Sequence, residues 1–407
     1  MLNARREKPE VLLSCGLYAI THIPLFTFTN LNVKCKKIFT IPYRLGKTVS
    51  SLRENCYYKI QTYAISALTK KTCFMTDTYE VRPVEDPQTW DDFVRTALGG
   101  TIFSSRTWLD CACRATNHVL HCYGLYKNGS LLAGVSGLES RRAGLKRLTT
   151  PQLTPHGGLL FAPIPSKGPA KLEAEWGRAT QLLISHLLAH YDQVQLSLAP
   201  AIQDVREFTW SDWNTRIRYT YQMDLSDLDS LWERVERRTR TVIRKAEKAS
   251  FTLQPTDDLD LFRRQYELIY AKQDGGPPID PALVQSFATH ALAAGLAQPQ
   301  AIVSPEGDIA SIVIFVEGFD TLYAWVAGAD PAFNPSGATS LLYWNSFQQT
   351  HLKRFDFVGA NMPAIAKFKR GFGGDLVPYF VVDGFKSGLV KTAVAGKNAL
   401  QAWRNER

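Results

Sequence analysis

FDFVGANMPAIAKFKRGFGG, residues 355–374, joins a short apolar run to a basic helical pattern and a glycine-rich turn. The run 355–358 predicts a buried strand, and the spacing of apolar residues after Pro363 predicts a short helix. Gly371 is expected to end that helix in the left-handed conformation, which costs Gly least. Three cations fall near the helix end: Lys367, Lys369 and Arg370. Cations there either complement the helix dipole or face an anionic substrate.

The excess positive charge of the chain lies at its N-terminus. The 407 residues carry a formal net charge of +9, and residues 1–74 hold 12 Lys and Arg against 3 Asp and Glu. The remaining residues are balanced at 35 and 35. We interpret residues 1–74 as a basic extension that is disordered or not translated, with Met75 as the true start; the alternative is a basic anchoring arm.

The sequence also bears on location and metal content. The apolar run 11–20 is too short for a bilayer, which takes about 20 residues, and no signal-peptide cleavage site follows it. We therefore expect a cytoplasmic protein whose membrane contact, at the inner face, is at most peripheral. Because no complete set of metal ligands is visible, we expect no metal.

Residues 75–222 and 223–384 repeat one order of elements. Each half has a helical opening, a hairpin, a strand, a Pro/Ser/Gly elbow, a helix and another strand. The hairpins turn at Asn128-Gly129 and Glu306-Gly307, where Gly accepts a positive φ at no steric cost. The pattern predicts an α/β (α+β) fold of two tandem domains, each a mixed central sheet flanked by helices, with a C-terminal helix over 385–407.

The elbow of the second half, residues 334–340, has a possible chemical role. A Gly at a strand-to-helix turn exposes backbone N–H groups at the helix N-terminus, where phosphate or carboxylate oxygens bind. Ser336, Gly337 and Ala338 are therefore candidate cofactor-binding residues. The alternative is an ordinary helix start with Ser336 as its cap.

Two other candidates come from local pattern. His156 lies in a Pro-His-Gly-Gly turn, an irregular loop in which an imidazole could act as a base. A predicted helix over 228–248 has a basic stripe that could bind an anionic ligand, and Arg244 and Lys245 lie nearest the domain junction. An exposed loop histidine and a solvated stripe are the alternatives.

Several phrases occur in an order that is typical of one group of enzymes. They are FSSRTWLDC (103–111), RYTYQMDLSDLDSLW (218–232), RTRTVIRKAEKASFTL (238–253), WVAGADPAFNPSGATSLLYW (325–344) and the stretch quoted first. Together they resemble GNAT-type acyltransferases, in particular the twin-domain branch of Fem-type aminoacyltransferases and envelope-polysaccharide acyltransferases. The resemblance covers residues 79–384. It implies two stacked GNAT-like domains with a cleft in which an activated acyl group passes to an amine.

The resemblance also implies site residues. The strand 323–328 would be the splayed strand whose backbone polarises the carbonyl, with Tyr323 and Trp325 at the acceptor channel. Lys369 would lie at the interdomain cleft and neutralise a phosphate on a substrate. Two residues of the quoted stretch, Asn361 and Arg370, are further candidates for substrate binding.

The leading hypothesis is an N-acyltransferase that uses acyl-CoA and acylates an amine of an amino-sugar or cell-envelope precursor, either a small molecule or lipid-linked. GNAT enzymes that use acyl-CoA carry a Q/R-x-x-G-x-G/A loop, and in residues 334–339 only Gly337 fits it. The donor therefore stays open. The alternatives are tRNA-dependent aminoacyl transfer to a peptidoglycan peptide and a non-catalytic binding module on the same fold; the neutral body disfavours tRNA.

Overall fold

The computed structural model describes residues 77–164, 168–271 and 276–405. The basic extension, residues 1–74, lies outside them. Within the described residues the strands are β1 (Tyr79–Pro83), β2 (Val119–Lys127), β3 (Ser130–Arg142), β4 (Leu145–Thr149), β5 (Leu159–Phe161), β6 (Gln193–Ser197), β7 (Asn214–Asp224), β8 (Thr252–Pro255), β9 (Ala297–Val303), β10 (Ile309–Glu317), β11 (Thr321–Ala329), β12 (Arg354–Asp356) and β13 (Asp375–Phe385).

The α-helices of the described ranges flank these strands. They are α1 (Pro87–Thr96), α2 (Arg106–Thr116), α3 (Pro169–His190), α4 (Arg206–Trp210), α5 (Leu228–Arg234), α6 (Arg237–Lys248), α7 (Leu259–Tyr270), α8 (Pro281–Ala293), α9 (Ala338–Gln349), α10 (Pro363–Arg370) and α11 (Gly388–Asn405). Short 3₁₀-helices span Ile102–Ser104 and Pro331–Ser336. None of the helices in these ranges combines the length and the apolar character that a membrane crossing requires.

The strand order of the sheet is symmetric about its centre. The order is β1-β2-β3-β4-β6-β13-β7-β12-β11-β10-β9-β8, and β5 pairs with β3 outside this path. The fourth and fifth strands from each edge are parallel: β4 and β6 on one side, β12 and β11 on the other. The remaining neighbours are antiparallel. The mixed sheet with flanking helices confirms the predicted fold class. The predicted boundary at 222/223 falls inside β7 and stays a prediction.

The two halves exchange their last strands at the centre of the sheet. β7 ends the first half but pairs with β12 of the second half. β13 ends the second half but pairs with β6 of the first half. The two exchanged strands also pair with each other, from Asn214 opposite Asp383 to Gln222 opposite Asp375. Backbone hydrogen bonds therefore tie the halves together along the whole central ladder.

Local sequence signals account for the turns and for part of the helix ends. Asn128 and Gly129 both have positive φ, 50° and 82°, as the predicted tight hairpin requires. Gly307 has φ 94° in the second hairpin. Asp86 caps α1 by accepting from the backbone N–H of Thr89 at 2.9 Å.

Two predictions about helix ends are wrong. The basic helix is not continuous over 228–248: α5 and α6 are separated at Glu236, because its N–H leaves the helix to donate to the carbonyl of Gly371 at 2.9 Å. Gly371 itself has φ −56°, and the left-handed residue is Gly373, with φ 77°. A Cβ at Gly373 would lie 2.6 Å from the carbonyl carbon of Arg234, so the close packing of this turn on α5 requires Gly.

Aromatic side chains join the two halves on one face of the sheet. The ring of Trp108 on α2 lies 4.9 Å from that of Phe287 on α8 and 5.1 Å from that of Trp325 on β11. Trp108 is fully buried. The first-half helix α2 therefore packs directly on second-half elements beside the site described next.

Candidate functional site

The sheet opens between β11 and β12. These parallel strands pair only over Thr321–Tyr323 and Arg354–Asp356, and they separate beyond these residues. A cavity of about 880 Å³ lies in the gap. Its wall includes β11 from Ala324 onward, so the strand predicted to be splayed does lie beside an opening. Trp325 occupies a bulge of β11, since Ala324 and Val326 pair with consecutive residues of β10.

The equivalent gap in the first half is closed. β4 and β6 separate after Thr149 and Gln195, but the following segment, residues 150–158, fills the space between them. Ser197 Oγ donates to the carbonyl of Pro155 at 2.6 Å, and Gly157 N–H donates to the carbonyl of Ser197 at 2.8 Å. Of the two related gaps, the second-half gap is therefore the open one.

The first-half segment 150–158 also forms part of the second-half site. Trp325 Nε1 donates to the carbonyl of Leu153 at 2.6 Å, and Trp108 Nε1 donates to Thr154 Oγ1 at 3.0 Å. His156 follows, only 4% exposed, with its ring 6.0 Å from that of Tyr323. Burial lowers the pKa of His156 to about 4, against the opposing charge of Asp356, so the imidazole is neutral at pH 7. Its buried Nδ1 has no hydrogen-bond partner among the described residues.

Asp356 is a site residue that the sequence analysis missed. It ends β12 and is 1% exposed. One carboxylate oxygen accepts from Thr220 Oγ1 at 2.6 Å and from the N–H of Val358 at 2.7 Å, and the other accepts from Gln222 Nε2 at 2.8 Å. A single carboxylate within the apolar run 355–358 was the available signal, because buried acids occur where partners are built for them.

Lys369 reaches the same place from α10. Its Nζ donates to the carbonyls of Phe357 at 2.7 Å and Gly359 at 2.6 Å. Burial lowers the pKa of Lys369 to about 8, and the charge of Asp356 opposes that shift. The ammonium thus holds a turn in which Val358 has φ 53°, a strained value for a β-branched residue.

Trp325 and Asn361 complete the cavity wall, and Tyr323, which precedes the wall residue Ala324, does not line it. Tyr323 is 6% exposed, and burial, followed by the charge of Asp356, raises the pKa of its phenol. Trp325 and Asn361 line the cavity. Asn361 also fixes the turn to β7, since its Oδ1 accepts from the N–H of Tyr219 at 2.9 Å.

The elbow lies at the N-terminus of α9, on the β11 side of the gap. Gly337 has φ 85°, and a Cβ there would collide with the carbonyl oxygen of Val242 on α6. Ser336 Oγ accepts from the N–H of Ala338 at 3.1 Å, although the cap position itself belongs to Gly337. Lys245 Nζ donates to the carbonyl of Pro335 at 2.8 Å and so ties α6 to the elbow.

The other two basic candidates lie elsewhere. The guanidinium of Arg244 lies over the ring of Trp232, 5.5 Å from its centroid. Arg370 is exposed and its Nε pairs with Glu236 Oε1 at 3.1 Å. Neither residue lines the cavity. The structure therefore brings His156, Tyr323 and Lys369 within the electrostatic reach of Asp356 and leaves these two arginines outside that group.

Comparison with known proteins identifies the class of domain. Residues 218–370, from β7 to the end of α10, match the family described as acetyltransferase (GNAT) domain. This part of the chain is similar to a GNAT acetyltransferase domain, and over these residues the predicted resemblance to GNAT-type acyltransferases is confirmed. It contains Asp356, the elbow, Lys369 and most of the cavity wall.

Solved structures extend the likeness over most of the chain. The crystal structure of FemX is 12% identical, covers 74% of this chain and 96% of its own, and has a TM-score of 0.56, which indicates a shared fold. L-PGS from Bacillus licheniformis (12% identity, 79% and 99% coverage) and a tandem GNAT protein from the clavulanic acid biosynthesis pathway (12%, 76% and 99%) have TM-scores of 0.43 and 0.42. Those scores are too low to support an argument. No curated protein sequence matches the chain significantly.

Proposed function

We propose that this protein is an N-acyltransferase that moves an acyl group from acyl-CoA to an amine of an amino-sugar or cell-envelope precursor. The observation that carries the proposal is the open gap between β11 and β12, which has a helix N-terminus on one side and a group of buried titratable side chains on the other. We further propose that it acts in the cytoplasm, with at most peripheral membrane contact.

The β11 side of the gap suits an extended, phosphorylated donor. Beyond Tyr323 the edge of β11 that faces β12 has lost its strand neighbour, so its backbone groups can pair with amides of a donor arm. The first N–H groups of α9 have no acceptor within the helix. The N–H of Ala338 donates to Ser336 Oγ. The N–H groups of Thr339 and Ser340 therefore remain available to phosphate oxygens. GNAT domains generally use acyl-CoA.

Side chains on both sides of the gap can perform the proton transfers. In the reaction the amine nitrogen bonds to the acyl carbon, the carbon–sulfur bond of the donor breaks, the nitrogen loses a proton and the thiolate gains one. His156 lies directly behind the cavity-lining residues Leu153, Thr154 and Pro155, is neutral at pH 7, and has no partner for its buried Nδ1 among the described residues, so we propose it as the acceptor of the amine's proton. On the β11 side, burial raises the pKa of Tyr343, a cavity-lining residue of α9, so its phenol keeps its proton and can donate to the oxygen or sulfur that becomes negative.

An aminoacyl-tRNA donor is the second candidate, because of the basic surface of α6. Exposed cations of this helix form no ion pair with a described residue: Arg237, Arg238, Arg244 and Lys248. The helix is bonded to the elbow through Lys245. A polyanion longer than a nucleotide would therefore find positive charge next to the donor side of the gap.

Calorimetry of the full chain separates these candidates. We expect acetyl-CoA and free CoA to bind at one site with micromolar affinity, and we expect turnover to release free thiol when an amino-sugar is added. Retention of aminoacyl-tRNA without CoA binding would establish the second candidate. If neither donor binds and amino-sugars still do, the fold serves as a binding module and the enzymatic proposal is wrong.

A further inference from the structure

The charged side chains that line the cavity are all cationic: Arg216, Arg218 and Lys369. Lys369 is occupied by backbone carbonyls. The two arginines make no hydrogen bond and no ion pair with any described residue. They lie two positions apart on β7, hence on one face of the strand, where like charges repel. An anion between them would turn that repulsion into attraction.

The protein does not supply this anion from the neighbouring strand. Val381 and Tyr379 of β13 lie directly opposite Arg216 and Arg218. Asp383 lies diagonally across from Arg216, whose positive charge favours the ionised carboxylate. Its hydrogen bond, however, comes from Gln193 Nε2 at 2.9 Å and not from Arg216. The oxygens of Asp356 are likewise occupied, by Thr220, Gln222 and Val358. The two guanidinium groups therefore remain available to a ligand in the cavity.

The position of the arginines shows which reactant they meet. β12 ends at Asp356, opposite Gln222, and Arg218 lies four residues before Gln222 on β7, about 13 Å further along the strand. The pair is thus across the gap from β11 and the elbow. Gln195 and Ser197 of β6 line the same end of the cavity. If the donor occupies the β11 side, the pair faces the acceptor.

We propose that Arg216 and Arg218 bind a phosphate or diphosphate group of the acceptor, so that the preferred acceptor is a phosphorylated amine and not a neutral one. Two planar guanidinium forks can each place two N–H donors on phosphate oxygens, a geometry that lysine does not offer. The assignment of this ligand as the acceptor rests on the proposed acyl transfer. The anion site itself does not, and the two can fail separately.

The first experiment titrates inorganic pyrophosphate into the full chain by calorimetry, with and without saturating CoA. We expect one site that persists in the presence of CoA. Arg216→Gln and Arg218→Gln should each weaken it about tenfold, the scale of one charge-assisted contact. Arg141→Gln, at an exposed arginine of β3 that does not line the cavity, is the matched control and should change nothing. Absence of binding to the unaltered protein, or unchanged binding in the two β7 variants, would overturn the proposal. Circular dichroism checks that the variants fold; both arginines are exposed.

The second experiment compares acceptors with acetyl-CoA as donor. We expect kcat/KM for glucosamine 6-phosphate to exceed that for glucosamine at least tenfold, and we expect the ratio to fall to about one in the double variant. A ratio that is the same in both proteins would refute the anion site as an acceptor determinant. If pyrophosphate binds but no acceptor turns over, the acyl-transfer proposal fails and the anion site stands. Co-sedimentation with phosphatidic acid vesicles distinguishes a lipid phosphate from a soluble one.

Discussion

Lys369 is a buried ammonium whose hydrogen bonds go to backbone carbonyls, so its protonation is coupled to folding. Its pKa is about 8 in the folded protein against 10.5 when exposed. Between these values the unfolded chain binds more protons, and stability therefore rises with pH. The shift corresponds to about 3 kcal/mol at most. We expect the unfolding free energy of the unaltered protein to rise, relative to Lys369→Met, as pH increases from 8 to 10.5 in urea titrations.

Lys367→Met provides the control for this experiment. Lys367 is two residues away on the same helix and is exposed. Its variant should follow the pH dependence of the unaltered protein. If Lys369→Met follows it as well, the ammonium of Lys369 is hydrated in solution, and its proposed function in holding the turn at Val358 is wrong.

Replacing His156 should lower kcat and should leave the affinity for the donor nearly unchanged. Because its pKa is about 4, the base is already deprotonated across the neutral range, so the acid limb of kcat attributable to it should lie near pH 4 instead of 6.5. Replacing it with Gln should lower kcat about 100-fold or more, the usual range for a general base. CoA affinity should be unchanged by calorimetry. His118→Gln, at an exposed position, is the control; equal losses in both variants would exclude His156 as the base.

At the scale of single residues, some members of the site could be predicted from the sequence and others could not. His156 and Lys369 could be, because each lies in an irregular, glycine-rich stretch. Asp356 was hidden because its partners Thr220 and Gln222 are more than 130 residues away. Arg216 and Arg218 alternate with Ile217 as on any half-exposed strand, and only the exchange of β7 into the second half brings them to the cavity.

The elbow element depends on Gly337 for two separate reasons. Its φ of 85° disfavours any Cβ, and the carbonyl of Val242 occupies the space a Cβ would need. Gly295 has a similar φ of 71° with open space around it. Gly295→Ala therefore measures only the cost of placing a Cβ on a left-handed backbone, about 1 kcal/mol of unfolding free energy. We expect Gly337→Ala to cost about 1–3 kcal/mol more in urea unfolding and to weaken CoA binding at least tenfold.

The outcome at Gly337 discriminates between two views of the elbow. If Gly337→Ala lowers stability but leaves CoA affinity intact, the elbow is an ordinary helix start, and the donor phosphates bind elsewhere. If Gly337→Ala and Gly295→Ala lower the unfolding free energy by the same amount, α6 moves to accommodate the added methyl group. The close packing on Val242 then does not require Gly at position 337.

Elements were predictable from sequence where their determinants are local. The Asn128-Gly129 hairpin follows from the turn residues themselves. The break between α5 and α6 does not, since it depends on the carbonyl of Gly371, more than 130 residues downstream. Segment 150–158 is a similar case. Its sequence reads as a loop, and only the tertiary structure shows that Leu153 and Thr154 contact Trp325 and Trp108 of the open site.

Across the described part of the chain the two halves have the same strand order, and the first half contributes to the cavity of the second. The symmetric strand order relates β4–β6 to β11–β12, yet the first gap is filled and the second is open. The filling segment contributes residues 150–155 to the wall of the open cavity, with His156 directly behind them, and the exchanged β7 contributes Arg216 and Arg218. Segment 150–158 and β7 thus both contribute side chains to the cavity beside β11.

Strand exchange also determines how the molecule unfolds. Neither half can satisfy the backbone groups of its central strand edge alone, because β7 hydrogen-bonds to β12 and β13 hydrogen-bonds to β6. We therefore expect residues of both halves to unfold in one cooperative transition, with superimposable tryptophan fluorescence and circular dichroism curves in urea. Fragments 1–226 and 227–407, which keep β7 intact, should each lack a sharp transition and should regain it when they are co-expressed. Two resolved transitions in the full chain, or a cooperative transition in either isolated fragment, would show that the ladder between β7 and β13 does not couple the halves.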